Sequence, residues 1–222
     1  MISIIVPVLN ESAGVADMLA ALAPLRARGH EVIVVDGGSS DGTPQCCHGL
    51  ADQVLFSPPG RARQMNAGAA IAQGSLLLFL HADTGLPEDA DQLISQALRG
   101  GTEWGRFDVR IVGRSRLLPV IAMLMNWRSR LTAIATGDQA LFVRRPVFDA
   151  LGGFADQPLM EDIELSLRLR ERSRPACLRA RVRTSGRRWD SRGVWRTMAL
   201  MWRLRWRYWR GTPATELARY YR

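Results

Sequence analysis

Three apolar runs in this chain each end in a short polar cluster: Pro7 to Ser12 reads PVLNES, Val35 to Thr43 reads VDGGSSDGT, and Leu76 to Leu80 runs into His81-Ala82-Asp83. Glycines at 37, 38 and 42 let a backbone come close to a ligand, while Asp36 and Asp41 can accept hydrogen bonds from base or ribose donors. His81 and Asp83, at i and i+2 of an extended chain, point to the same side and could share a divalent cation. The pair also has an ordinary use, with Asp83 closing an Asx-turn or capping the helix near Pro87 and His81 a satisfied half-buried residue. No G-x-G-x-x-G occurs, and no Gly-Lys-Ser/Thr, so neither a dinucleotide fingerprint nor a P-loop is present.

For these clusters to act together, the segments carrying them must end on one edge of a sheet. ISIIVP (2–7) reads as a strand leading to a helix from about Ser12 to Arg28; EVIVVD (31–36) leads through the glycine-rich turn to a helix from about Thr43 to Ala51. QVLF (53–56) is a short strand, RQMNAGAAIA is helical, and LLLFLH is a strand bracketed by Gly74 and Pro87. This alternation predicts an α/β fold with a mostly parallel sheet, helices on both faces, and the three polar ends converging at the carboxyl edge where ligands of such sheets bind. The second half reads differently: Gly105 to Gly113 alternates like an exposed strand, Leu117 to Ile134 is helical, QALFVRR (139–145) is a strand, Asp162 to Arg172 a helix, and CLRARVRT (177–184) alternates again. Neither an internal repeat nor a low-complexity linker interrupts the chain.

With 222 residues and 47% hydrophobic composition, the chain can bury one substantial core, and two independent domains would be a tight fit. The net charge of +9 is unevenly placed: residues 1–162 carry 13 arginines against 17 acidic side chains, residues 163–222 carry 17 against 4, and lysine is absent. Such a cationic C-terminal part suits phosphate, nucleic acid or an anionic membrane, or is simply a solvated face. Without a recognised nucleic-acid module its charge predicts only salt-sensitive, sequence-blind affinity, so no specific nucleic-acid partner is expected. Cys46, Cys47 and Cys177 form no CxxC pair, which points to inert thiols and a reducing compartment. MISIIVPVLNE lacks a basic leader, and the longest apolar block, Leu117 to Met125, contains Pro119 and falls short of the ~20 residues that span a bilayer. A cytoplasmic protein is expected, with peripheral attachment to the inner membrane face open.

The segment GVWRTMALMWRLRWRYWRG (193–211) is an amphipathic helix by pattern. At about 100° per residue Trp195, Met198, Trp202, Trp206 and Trp209 form one stripe, and Arg196, Arg203, Arg207 and Arg210 a separate arc. The stripe could dock on the rest of the chain, face a twin subunit in a homo-oligomer, or lie in an anionic membrane interface.

Taken in order, these motifs resemble the glycosyltransferase family 2 enzymes of the GT-A fold. PVLNE is similar to the family's opening motif, VDGGSSDGT to its V-D-D-G-S-x-D-G-T turn, GRARQMNAG to its G-x-x-x-A-x-N-x-G segment, and HAD stands where its D-x-D stands. Met160-Glu161-Asp162 resembles the Glu-Asp element supplying the catalytic base, and Gly137-Asp138-Gln139 the loop before the acceptor-side strand. LFLHADT, TGDQALFVRR, MEDIELS and TSGRRW resemble a bacterial subgroup labelled selenodomain-associated or arsenosugar-biosynthesis glycosyltransferases, a label that names no acceptor. The resemblance implies one catalytic domain over 1–190, with a nucleotide-sugar half (1–100) and an acceptor half (101–190), followed by the Trp/Arg-rich segment 191–222.

The resemblance also implies roles. Pro7, Asn10, Glu11, Asp36 and Gly38 would hold the nucleoside, uridine by preference, with Arg63 near base or diphosphate. Asp83 would bind Mn²⁺ or Mg²⁺ bridging the diphosphate of a nucleotide-sugar donor, and Asp162, with Glu161 as runner-up, would take the acceptor proton in an inverting displacement. For the Glu161-Asp162 pair the ordinary alternative is compensation of a helix dipole. His81 replaces the first Asp of D-x-D, so either its imidazole joins the metal shell or Asp83 works alone. Gly37 replaces a second Asp of the nucleotide turn. Ser185-Gly186-Arg187-Arg188-Trp189 aligns loosely with the Q-x-x-R-W element of polymerising members, but serine stands in for glutamine, which implies a single transfer. Arg187 and Arg188 could still cover the diphosphate. A catalytically dead relative that uses its Trp/Arg helix as a binding module is the competing expectation.

Overall fold

The computed structural model describes residues 1–221. The chain begins with β1 (Ile2–Val8), α1 (Val15–Ala21), α2 (Ala23–Ala27), β2 (Glu31–Asp36), α3 (Thr43–Cys47), β3 (Gln53–Phe56), α4 (Arg61–Ile71), β4 (Leu76–Phe79) and β5 (Thr84–Gly85). It continues with α5 (Ala90–Ala97), β6 (Trp104–Val112), α6 (Leu118–Thr132), a 3-10 turn (Gly137–Gln139), β7 (Phe142–Arg144), α7 (Arg145–Ala150), α8 (Glu161–Arg172), β8 (Ala176–Ser185), α9 (Arg187–Arg192), α10 (Val194–Trp209) and α11 (Ala214–Tyr221).

Every residue of β1 and β2 is buried. Because successive side chains point to opposite faces, an unbroken run of Ile and Val needs cover on both sides, and two cores supply it. Ile4, Val6, Val32, Val34 and Leu78 join the core under α1, α5 and α6, whereas Ile5, Ile33, Val35, Leu77 and Phe79 join the core under α4, α7 and α8. Gly68 lets α4 lie directly on the sheet, since a Cβ there would come 2.6 Å from Ile5 Cγ2.

The eight strands run in the order β3-β2-β1-β4-β7-β6-β8-β5. The first four are parallel, with Val8 beside Asp36 and Asp36 beside Phe56, so the polar turns emerge at a common edge. Strand β7 is antiparallel to both β4 and β6, which makes the second half of the sheet mixed.

Three local expectations change. The helix over 12–28 divides at Leu22, because Pro24 has no N–H to donate back along a continuous helix and instead opens α2. The helix from Thr43 stops at Cys47, short of Ala51. Strand β6 is not an exposed strand: it is buried through Val109, including Arg106 and Asp108. Those two polar residues pair with each other, and Arg130 of α6 reaches Asp108 Oδ2 at 2.8 Å, so the strand's charges are paired inside although Arg106 Nε keeps no partner.

Candidate active site

At the carboxyl ends of β1 and β2 the two polar turns lace together. Asn10, in the left-handed region at φ 54°, accepts from Ser40 N at 2.9 Å and donates its own N–H to Ser39 Oγ at 2.8 Å. Thr43 Oγ1 accepts from Glu11 N at 2.8 Å and donates to Asp41, whose other oxygen takes Ser12 N at 3.0 Å. The Thr43 hydroxyl chiefly holds the Asp41 carboxyl well below the usual carboxylate range. Asp36 Oδ2 accepts from Gly38 N and Ser39 N, both at 2.9 Å, while Asp36 Oδ1 is buried with no partner. A buried acceptor left open at a cleft is a place for a ligand N–H. Pro7, paired with Val35, precedes this turn, and Gly38 (φ 94°) provides its left-handed step.

The missing aspartate at 37 has a steric cause. Gln64 of α4 donates to the carbonyls of Val8 and Val35, each at 2.8 Å, and its amide lies 3.0 Å from where a Cβ on Gly37 would stand. In the same helix Asn66 binds the Phe154 backbone in both directions, at 2.8 and 2.9 Å. The G-x-x-x-A-x-N-x-G-like segment therefore ties the ends of β1 and β2 and the Phe154 loop to α4.

The second group gathers at the head of α8. Met160 turns through φ 65°, and the helix opens with Glu161 and Asp162. Asp162 Oδ2 accepts from Gly137 N at 2.7 Å and Oδ1 from Ile163 N at 2.8 Å, which ties the carboxylate to the 3-10 turn. His81 fills the space beside Gly137 that a side chain would occupy and sets Nδ1 3.5 Å from Asp138 Oδ1. Burial pushes the Asp138 carboxyl up, but His81, Arg61 and Arg188 outweigh it and hold it low. Glu161 is buried, and burial together with the adjacent Asp162 charge holds its carboxyl above the usual range.

Arg63 pairs at the surface with Asp156, at 2.8 and 3.0 Å, and Arg61 is the guanidinium that faces Glu161, Asp138 and Asp162. Residues i and i+2 of a helix lie about 200° apart, so one helix cannot aim both inward. His81 turns to the Gly137-Asp138 loop. Trp189 packs partly buried against the core, and Arg188 sits 4.0 Å from the Tyr221 ring centroid, while Arg187 meets Glu11 at 3.0 Å and Asp83 at 3.9 Å.

Arg61, Gln64, Arg128 and Arg205 were not singled out by the motifs. Arg205 had a signal: it lies roughly opposite the arginine arc of α10 on a helical wheel. It stands about 100° round the helix from the docked side, where Leu204 is buried with Leu159, Met160 and Leu217. The tryptophan stripe points away, Trp195, Trp202, Trp206 and Trp209 being 57–79% exposed, so the core is not its partner. Helix α6 carries a second exposed apolar stripe at Val120, Met123, Leu124, Trp127 and Leu131.

Two of the surface depressions bear on the site. The smaller, about 550 Å³, is lined by Glu11, Asp83, Ser185 and Arg187 and opens beside the nucleotide turn. The larger, about 840 Å³, runs between α6 and β8 among Arg110, Arg130, Arg179, Arg181 and Arg183 and contains none of the carboxylates at the head of α8. Among the described residues no group of three or more His, Cys, Asp or Glu forms a metal cage. Asp83 alone, partly exposed beside Arg187, suits a hard cation that takes most of its oxygens from phosphate and water.

A sheet of this order, with nucleotide turns at its parallel edge and a carboxylate at the head of a later helix, is the GT-A architecture of nucleotide-sugar-using transferases. Solved structures share it: Staphylococcus aureus TarS (1–349) in complex with UDP superposes with a TM-score of 0.66 over 83% of this chain and 60% of that one, at 19% identity. The mannosyltransferase PcManGT from Pyrobaculum calidifontis, in complex with GDP-Man and Mn²⁺, gives 0.64 over 92% and 60%, at 22% identity. Residues 3–152 match the family model "Glycosyl transferase family 2", and the chain belongs to that family. The succinoglycan biosynthesis protein ExoA of Rhizobium meliloti (strain 1021) is 29% identical over 190 residues, 75% of this chain and 57% of ExoA. The chain spans about half the length of the curated relatives it matches.

Proposed function

We propose that the chain moves one sugar from a nucleotide-diphosphate donor, a UDP-sugar by preference, to an acceptor hydroxyl with inversion. The observation that carries this is Asp162, a carboxylate fixed by two backbone N–H groups at the head of α8. The acceptor oxygen attacks the anomeric carbon as the bond to the diphosphate breaks; its proton passes to Asp162, and the diphosphate leaves with the electron pair. One fixed base suffices for such a displacement. Asp36 Oδ1, which has no partner, would take a base N–H, with Gly38 N held on its other oxygen and Asn10 bound to the same turn, while Glu11 lines the depression beside it. Asp83 would hold Mn²⁺ or Mg²⁺, which when bound supplies positive charge against the diphosphate; Arg187 stands at the same place and supplies it from the protein. Ser185 in place of glutamine supports a single transfer, and the quoted wording supports membership of the arsenosugar-type subgroup.

The enzyme would work at an anionic membrane surface, from the cytoplasmic side. Two observations support this: the exposed apolar stripes on α6 and α10, and the arginines that border both. Sedimentation with phosphatidylglycerol vesicles but not neutral ones, lost in the Trp202→Ala/Trp206→Ala variant, is the expected result. Equal behaviour of both vesicle types removes the membrane reading, and a concentration-dependent dimer would put a twin subunit on the stripe instead.

Calorimetry of UDP, with GDP as control, with and without Mn²⁺, tests the donor site in wild type, Asp36→Asn and Asp83→Ala. Metal-dependent UDP binding lost in Asp83→Ala is expected. Absence of binding by either nucleotide under every metal condition would shift the assignment to the non-catalytic module.

A further inference from the structure

Most arginines around the cleft have a partner. Arg106 and Arg130 share Asp108, and Arg187 meets Glu11. Arg106 keeps a buried Nε without a partner, and Arg128 of α6 goes further: its Nε and one Nη are buried and meet no acceptor, and among the described residues it has no ion pair to offset them. On α10, Leu204 is buried against Leu159 and Met160, and the next residue, Arg205, is half-buried and feels the Asp162 charge. Burial, then repulsion from Arg205, pushes the Arg128 guanidinium down to about 9, and burial lowers Arg205 as well, Asp162 offsetting part of the effect on each.

Asp162 cannot neutralise both, because it is a single charge whose two oxygens already accept N–H groups. The remaining carboxylates, Asp138 and Glu161, face Arg61. One positive charge is therefore left over at the Arg128/Arg205 end, beside the base and on α6 and α10 rather than at the Glu11/Asp83/Arg187 end. A buried guanidinium without a partner is costly, and the cost is recovered when an anion arrives.

We propose that Arg128 and Arg205 form an acceptor subsite for a phosphate group, so that the accepting molecule carries a phosphate monoester near the hydroxyl Asp162 deprotonates. Two guanidinium forks offer several N–H donors to three phosphate oxygens, a match a carboxylate fills less completely. The assignment to the acceptor rests on the glycosyl-transfer reading; the anion site itself does not.

The test uses the full chain, its UDP affinity measured separately, with inorganic phosphate as probe and melting temperature as readout. Phosphate is expected to raise the melting temperature of wild type. Arg128→Gln and Arg205→Gln are expected to weaken half-saturation roughly tenfold or more, the worth of one charge-assisted contact, with UDP affinity unchanged. Without phosphate, Arg128→Gln should melt at or above wild type, since it removes an uncompensated charge, whereas a purely structural arginine would melt lower. Phosphate protection equal in all three proteins overturns the subsite, and loss of UDP affinity in the variants gives the arginines to the donor diphosphate instead. If UDP fails to bind wild type while phosphate protection still depends on both arginines, the anion site stands and the transfer reading falls. Vesicles containing phosphatidic acid, set against phosphatidylglycerol at equal charge, separate the sources. Arginine-dependent preference for phosphatidic acid identifies a lipid phosphate, and its absence alongside phosphate protection identifies a soluble one.

Discussion

Replacing Gly137 by alanine would place a methyl carbon against the His81 ring, inside contact distance of Nε2 and Cε1. The overlap is roughly an ångström or more relative to ordinary van der Waals separation, and neither side can retreat freely. His81 is mostly buried and interacts with Asp138 at 3.5 Å; the turn is tied to α8 by the 2.7 Å bond from Gly137 N to Asp162. Overpacking of this kind costs about 1–3 kcal/mol, and weakening a hydrogen bond to a carboxylate adds to it, so a loss of about 2 kcal/mol is expected. In a chain of this size that lowers the melting temperature by about 4–8 °C. Adding His81→Ala opens the space, so the double variant should recover much of the loss attributable to Gly137→Ala, a coupling of at least ~1 kcal/mol in a double-mutant cycle by chemical denaturation. Water-acceptor hydrolysis of the donor, followed by nucleotide release, should fall with Asp162 displaced while nucleotide affinity is kept. Strict additivity of the two substitutions, or a Gly137→Ala protein as stable as wild type, would show that the ring and the turn do not hold each other.

Other outcomes follow from the same geometry. Asp91 is clasped by Arg28 at 2.8 Å and His30 at 3.0 Å, contacts that hold its carboxyl below the usual range. Its contribution is present above the ordinary carboxylate value and is lost as pH falls through the depressed one; Asp91→Asn should melt about 2–4 °C lower at pH 7, the two curves converging in acid. Glu161 is shifted the other way: ionising it weakens the fold as pH rises through its raised value. Glu161→Gln should therefore gain on wild type in melting scans at pH 8 and lose that gain in acid. Burial holds the Cys47 thiol at about 11, so at pH 8 a disulfide reagent should label Cys46 and Cys177, with Cys47 reacting only after unfolding. Leu204→Ala opens a cavity against Leu159 and Met160 and should cost about 2–3 kcal/mol in denaturation, whereas no change would make the C-terminal segment an independent appendage.

The parallel half of the sheet was legible because its signals are local. An apolar run followed by Asn, Asp and Gly marks a strand end, and parallel pairing puts all such ends on one edge. Strand β6 was misjudged because alternation reports charge, not whether a charge has a buried partner; Asp108 and Arg130 make Arg106 tolerable inside. Which of Arg61 and Arg63 turns toward the carboxylates at the head of α8 is a matter of helix phase, which the motif spacing leaves open. His81 depends on a contact with Gly137, 56 positions later, and no local pattern carries that. The tryptophan stripe was visible, but its direction is set by Leu204 and Thr197 on the opposite side of the helix.

The uneven charge along the chain acquires a physical meaning once the site is assembled. Residues 1–162 supply Asp36, Asp41 and Asp83, carboxylates suited to base, ribose and cation contacts; residues 163–222 supply Arg187, Arg188 and Arg205, charges suited to phosphates, and Arg128 joins them from the acidic part. Three of the four non-glycine residues with positive φ, Asn10, Ala140 and Met160, lie in or next to the loops where these parts meet. Such conformations cost of order 1 kcal/mol or more each and persist only where surrounding packing fixes them. Around Asn10 that packing is the Ser39–Ser40 turn, and around Met160 it is α10 and α11. The C-terminal segment thus serves the site twice, by covering a strained turn and by bringing Arg205 to the carboxylate that the turn presents.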